Sequence, residues 1–116
     1  MDKPVASLDR ASALKRLDGD AEFYRVLVGV FLEDAPVQIQ KLAEAMRIAD
    51  ANTAIGVAHT LKSGGRTVGA MIFGDLCAEL ENCLAMDDPK SAGFVFAKLL
   101  AEYKQIAWLL EGDVDC

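Results

Sequence analysis

Apolar residues recur along this chain at three- and four-residue spacing, and nowhere do several alternate as a half-buried strand requires. The pattern predicts an all-α fold. A short first helix follows Asp9, carries Leu14 and Leu17, and stops at Asp18-Gly19. Asp20 caps the next helix and Glu22 sits in its first turn, at the favourable end of the helix dipole. This second element runs to about Ala49. Phe23, Val26, Leu27, Val30 and Phe31 give it a broad apolar stripe, which Ile39, Leu42, Ala43 and Met46 resume. Pro36 lacks an N–H and crowds the preceding turn, so it either kinks this helix or divides it near Glu33.

Asp50 caps a third long helix that reaches about Val68 and ends at Gly69. Its buried stripe is expected at Ala54, Val57, Leu61, Gly64 and Val68. Gly64 and Gly65 weaken its last turns by up to about 1 kcal/mol each relative to alanine. Glycines on or near the buried side imply that another helix passes close. A fourth helix spans about Met71 to Met86 with Leu76, Leu80, Cys83 and Leu84 inward. Asp88-Pro89 reads as an N-cap followed by proline at the first helical position. The last helix continues through Val95, Leu99, Tyr103 and Ile106 to about Leu110, with Gly112 marking its end. Four substantial amphipathic helices with short connections form an antiparallel four-helix bundle with a short additional N-terminal helix. The expected organisation is a single domain over 1–116 with a helical core at about 9–110.

Composition narrows the function. The 116 residues are 53% hydrophobic and 26% charged, as in a folded domain with a core. A net charge of -6 leaves no basic stripe to neutralise nucleic-acid phosphates and argues against docking on an anionic membrane. No apolar run approaches the roughly 20 residues needed to span a bilayer. The opening Met1-Asp2-Lys3-Pro4 lacks the apolar region of a signal peptide. Cys77 and Cys83 lie on different turns of one helix and are poorly placed to bridge each other, while Cys116 ends the chain. Three cysteines without a framework fit a reducing cytoplasm. No CxxC or HxxxH spacing supplies converging metal ligands.

The one histidine, His59, carries the candidate chemistry. On a helical wheel Asn52, Ile55, Gly56, Lys62, Ser63 and Arg66 fall within about 60° of it, opposite the apolar stripe. The helix therefore buries one side and presents the imidazole from the other, among two cations and small residues. A neutral imidazole has a nucleophilic ring nitrogen near physiological pH and can attack phosphorus if a neighbour fixes the other nitrogen as N–H. Lys62, at i+3, can approach and neutralise a phosphoryl group there. Arg66 lies two turns away and can assist or serve a partner. Gly56 and Ser63 leave room for a macromolecular donor. An ordinary surface histidine is the competing reading. A Ser-His-Asp hydrolase is weaker, because Ser63 sits in no strand-to-helix nucleophile elbow.

The segment His59-Thr60-Leu61-Lys62-Ser63-Gly64-Gly65-Arg66-Thr67-Val68-Gly69-Ala70 resembles the phosphoacceptor segment of histidine-containing phosphotransfer (HPt) domains, which carry phosphoryl groups in phosphorelays. The similarity extends to Asp20-Ala21-Glu22-Phe23-Tyr24, to Phe31-Leu32-Glu33-Asp34-Ala35-Pro36 and to Leu76-Cys77-Ala78-Glu79-Leu80-Glu81, covering nearly the whole chain. It implies that His59 is the phosphoacceptor, that Lys62 neutralises the phosphoryl group, and that Glu81 on the adjacent helix accepts a hydrogen bond from the imidazole and orients it. Ser63 stands where the family usually has glycine, and Arg66 where it commonly has a small residue. Both departures bear on partner choice or transfer rate.

The implied reaction is reversible transfer between His59 and the aspartate of a response-regulator receiver domain, including one within a hybrid histidine kinase. The receiver is expected to bring Mg²⁺, and no cofactor is expected in this chain. No ATP-binding motif appears, so the domain is expected to be a cytoplasmic, monomeric covalent carrier without kinase activity of its own. The competing classes are a non-catalytic helical interaction module with the same fold and a histidine kinase fragment, which requires a partner helix pair.

Overall fold

Four aspartates start four of the five helices. The computed structural model describes residues 6–114, in the order α1 (Arg10–Arg16), α2 (Ala21–Arg47), α3 (Ala51–Thr67), α4 (Met71–Ala85) and α5 (Pro89–Val114). Asp9, Asp20, Asp50 and Asp88 each accept the backbone N–H three residues on, at 3.0–3.2 Å, satisfying donors that a helix N-terminus leaves without partners. Ala70 precedes α4 without a side-chain cap. Among the described residues there is no strand, and the antiparallel arrangement of α2 to α5 is an all-α bundle. No helix among them is long and apolar enough to cross a membrane. The Met1-Asp2-Lys3-Pro4 start and Cys116 lie outside the described residues.

The core runs through Val28, Leu42, Phe73, Leu80, Leu99, Ile106 and Leu110, each fully buried. Phe31, Phe73 and Tyr103 join α2, α4 and α5 with ring centroids 5.9–6.0 Å apart, the Phe31–Phe73 pair edge-to-face. Helix α1 closes one end of the bundle. Asp9 N–H donates to the Gly69 carbonyl at 2.9 Å, Arg10 Nη2 to the Leu109 carbonyl at 3.0 Å, and Arg16 Nη2 to the Arg66 carbonyl at 2.8 Å. The buried Tyr24 hydroxyl donates to the Val68 carbonyl at 2.7 Å. Gly69, at φ +92°, makes the α3–α4 turn directly against the Asp9 carbonyl, where a Cβ has no room.

Of the two outcomes open at Pro36, division is not found: helix α2 is continuous past the proline, which is exposed. Three details differ from the sequence reading. The buried line of α2 is Tyr24, Val28, Phe31, Ala35, Leu42 and Ala45, while Phe23, Val26 and Val30 are 47%, 55% and 57% exposed and Ala43 is exposed. This helix carries more apolar residues than its neighbours can cover. In α3 and α4 the buried lines turn by part of a helical step, to Ala58 and Gly65 and to Phe73 and Cys77, leaving Val57, Gly64, Leu76, Cys83 and Leu84 partly buried. Gly112 lies inside α5, which continues to Val114.

Candidate functional site

His59 stands midway along α3, its side chain 63% exposed, because Ala54, Ala58, Leu61 and Gly65 turn the opposite side of the helix into the core. The close fit of α3 against its neighbours depends on small residues. A Cβ at Gly64 would meet the Phe31 ring at 3.2 Å, and one at Gly65 would meet the Phe73 ring at 2.6 Å. The side of α3 toward α4 carries the polar contacts.

Glu81 of α4 joins the two principal groups. Its Oε1 is 3.1 Å from His59 Nδ1 and its Oε2 is 2.7 Å from Lys62 Nζ. The Lys62 and Glu81 side chains are only 19% and 17% exposed, whereas the imidazole stands out in solvent. A carboxylate accepts and does not donate, so Nδ1 carries the proton of the contact, and in a neutral ring the lone pair is then on Nε2. The arrangement places a solvent-exposed imidazole with one ring nitrogen against a carboxylate of the neighbouring helix.

Arg66 is directed elsewhere. Its Nη2 lies 3.2 Å from Asp75 Oδ1, and its side-chain carbons cross Gly74, where a Cβ would lie 2.7 Å from Arg66 Cγ. Its Nε is buried without a hydrogen-bond partner. Both cations on the His59 side of α3 are thus paired with carboxylates of α4. The sequence reading gives Glu81 but not Asp75, which is one of three acidic residues of α4 and lies six residues before Glu81.

Gly56 and Ser63 flank His59 on the exposed surface, and a Cβ at Gly56 would meet no other part of the fold within 4 Å. Thr60 and Thr67 donate their hydroxyls back to the Gly56 and Ser63 carbonyls at 3.2 and 2.8 Å. Behind Glu81, burial and then the Glu81 charge push the Cys77 thiol up to about 12, which keeps it protonated and unreactive. Cys77 and Cys83 are free. Among the described residues, no three of His, Cys, Asp and Glu converge to hold a metal ion. A pocket of about 120 Å³ opens elsewhere between Ala45, Asp50, Ala54, Leu84 and Ala92, and His59 does not line it.

The Hpt domain family profile matches residues 26–108, more than half of the chain. The crystal structure of histidine-containing phosphotransfer protein B (HptB) from Pseudomonas aeruginosa PAO1 superposes with a TM-score of 0.86 over 98% of this chain and 97% of that one, at 22% sequence identity. That likeness is one of fold. Comparison with curated protein sequences gives no match. On the profile match, the chain belongs to the Hpt domain family of two-component phosphorelays.

Proposed function

We propose that His59 reversibly accepts a phosphoryl group from the aspartyl phosphate of a response-regulator receiver domain and returns it to a receiver aspartate. Membership of the Hpt family carries the general role in a phosphorelay, and domains of this family partner receivers. One observation carries the choice of residue: the imidazole is exposed and its Nδ1 is engaged by Glu81, which leaves Nε2 as the nitrogen for attack. The Nε2 lone pair attacks phosphorus in line, the bond from phosphorus to the aspartate oxygen breaks, and its electron pair leaves on the receiver carboxylate. No proton moves. The ring becomes cationic, and Glu81 offsets that charge.

The receiver supplies Mg²⁺ and the acidic pocket, so most of the neutralisation of the moving phosphoryl group comes from the partner. This chain is a covalent carrier whose turnover needs receivers, including receivers within hybrid histidine kinases, and it has no kinase activity of its own. Gly56 and Ser63 admit the approaching surface, with the Ser63 hydroxyl narrowing the approach. Phe23, Val26, Val30 and Val37 share one exposed side of α2, the helix against which α3 packs. An apolar strip with polar surroundings suits a complex that must form and release.

The test is incubation with a panel of phosphorylated, Mg²⁺-loaded receivers. Acid-labile, alkali-stable phosphate on this chain supports the carrier. Binding without phosphate transfer from any receiver would favour a non-catalytic interaction module.

A further inference from the structure

Phe94 and Trp108 are the most exposed aromatic side chains among the described residues, at 66% and 73%. Both belong to α5, and both face away from the bundle. Fourteen residues separate them, close to four whole turns, which sets the rings about 21 Å apart along the helix axis. Ala97 and Ala101 lie between them on the same side and are exposed. Two large rings joined by alanines make one continuous apolar stripe, the mark of an interaction surface. Lys90, Lys98 and Lys104 flank it, and no carboxylate of α5 lies within about 60° of Ala101 on the helical wheel. Neither these lysines nor Glu111, at the edge of the stripe, have an ion-pair partner among the described residues. Helices α3 and α5 each pack against α2 and α4, so the stripe lies diagonally across the bundle from His59.

Phe94 and Trp108 stand seven residues to either side of Ala101. A face with that spacing complements itself when two copies run antiparallel about a two-fold axis at Ala101. Each position before the axis then meets the position equally far after it. Phe94 would cover the partner's Trp108, Ala97 would meet the partner's Gln105, and Lys90 would reach the partner's Glu111. A parallel pair would set each lysine against its own copy, so charge selects the antiparallel arrangement. An acidic partner protein would use the lysines but would give neither Glu111 nor the symmetric spacing of the rings a role.

We propose that this side of α5 is a self-association surface, on which two copies of the chain pair antiparallel with Phe94 packed on the partner's Trp108. The alanines at the centre let the helix axes approach to about 8 Å, the close end of helix packing. The sequence reading expected a monomer, because periodicity does not show which rings a bundle leaves uncovered. The pair keeps both His59 rings exposed on its outer sides, so it offers two sites to receivers at once.

Sedimentation equilibrium of the full chain tests this without any chemistry at His59. It should show a monomer–dimer equilibrium with a Kd on the order of 100 µM, at the weak end for so small an interface. Trp108 is the only tryptophan, so its fluorescence reports the contact and should shift to shorter wavelength as the dimer forms. Phe94→Asp should raise the Kd more than about ten-fold and remove that shift, although residue 94 is too far along the helix to touch Trp108 of its own chain. Lys90→Glu and Glu111→Lys should each weaken the dimer about two- to three-fold, and the double variant should restore it. All these positions are exposed, and circular dichroism checks that the variants stay folded. A single chain at every concentration overturns the proposal and leaves the stripe to a different protein. A dimer untouched by Phe94→Asp overturns it as well, since association then uses another surface. Failure of the charge swap to restore the dimer contradicts the antiparallel pairing.

Discussion

The Phe73 ring occupies the space that a side chain at Gly65 would need, with a Cβ there only 2.6 Å from the ring. This contact lets α3 lie close to α4 and brings Glu81 within reach of His59 and Lys62. Gly65→Ala should therefore destabilise the domain by about 1–3 kcal/mol, the range for overpacking a filled core. Gly56→Ala, where the same atom meets open space, should stabilise it by up to about 1 kcal/mol through helix propensity. Urea unfolding of both variants checks the contrast, and similar shifts in the same direction would contradict it.

Val26 and Val30 should matter to binding and little to folding. Both are more than half exposed on α2, so Val26→Asp and Val30→Asp should alter stability by no more than about 0.5 kcal/mol. Each should weaken receiver association about ten-fold if the strip is the docking surface. Titration calorimetry with the receiver that transfers to His59 measures this, and an unchanged Kd would remove the strip from the interface.

The aspartate caps predict an acid limb in stability. Hydrogen bonds from the Ser12, Thr53 and Ser91 side chains, and then from their backbone N–H groups, hold the Asp9, Asp50 and Asp88 carboxyls below the ordinary value of 3.8. A carboxyl whose folded value is depressed stabilises the fold above its unfolded value, and that stability is lost as pH falls through the folded value. The urea midpoint should therefore hold steady above 3.8 and drop below it. Asp50→Asn keeps a cap that does not titrate and should show a shallower drop. Parallel pH curves for parent and variant would argue against a titrating Asp50 cap.

Much of this architecture was legible because the signals were local. Asp9, Asp20, Asp50 and Asp88 each precede a helical stretch, and each is its cap. Gly64 and Gly65 correctly announced close neighbours, the Phe31 and Phe73 rings. The stripe of α2 misled because Phe23, Val26 and Val30 are as apolar as true core residues, and periodicity does not say how much surface a neighbouring helix covers. Gly112 resembled a stop, yet glycine also continues a helix at modest cost. At the site, the wheel placed Lys62 and Arg66 on the His59 side of α3 but not against Glu81 and Asp75, since a wheel is blind to what the facing helix presents. Glu81 was visible only through the family resemblance.

The most direct test of the account is the position of the phosphoryl group on the ring. Domain carrying ¹⁵N-labelled histidine, phosphorylated by its receiver, should show by ³¹P and ¹⁵N NMR a single phosphohistidine bonded through Nε2. The signal should be absent from His59→Ala, which should fold with stability within about 0.5 kcal/mol of the parent. Phosphate bonded through Nδ1, the nitrogen that Glu81 holds, or an undiminished phosphohistidine signal in His59→Ala, would contradict it.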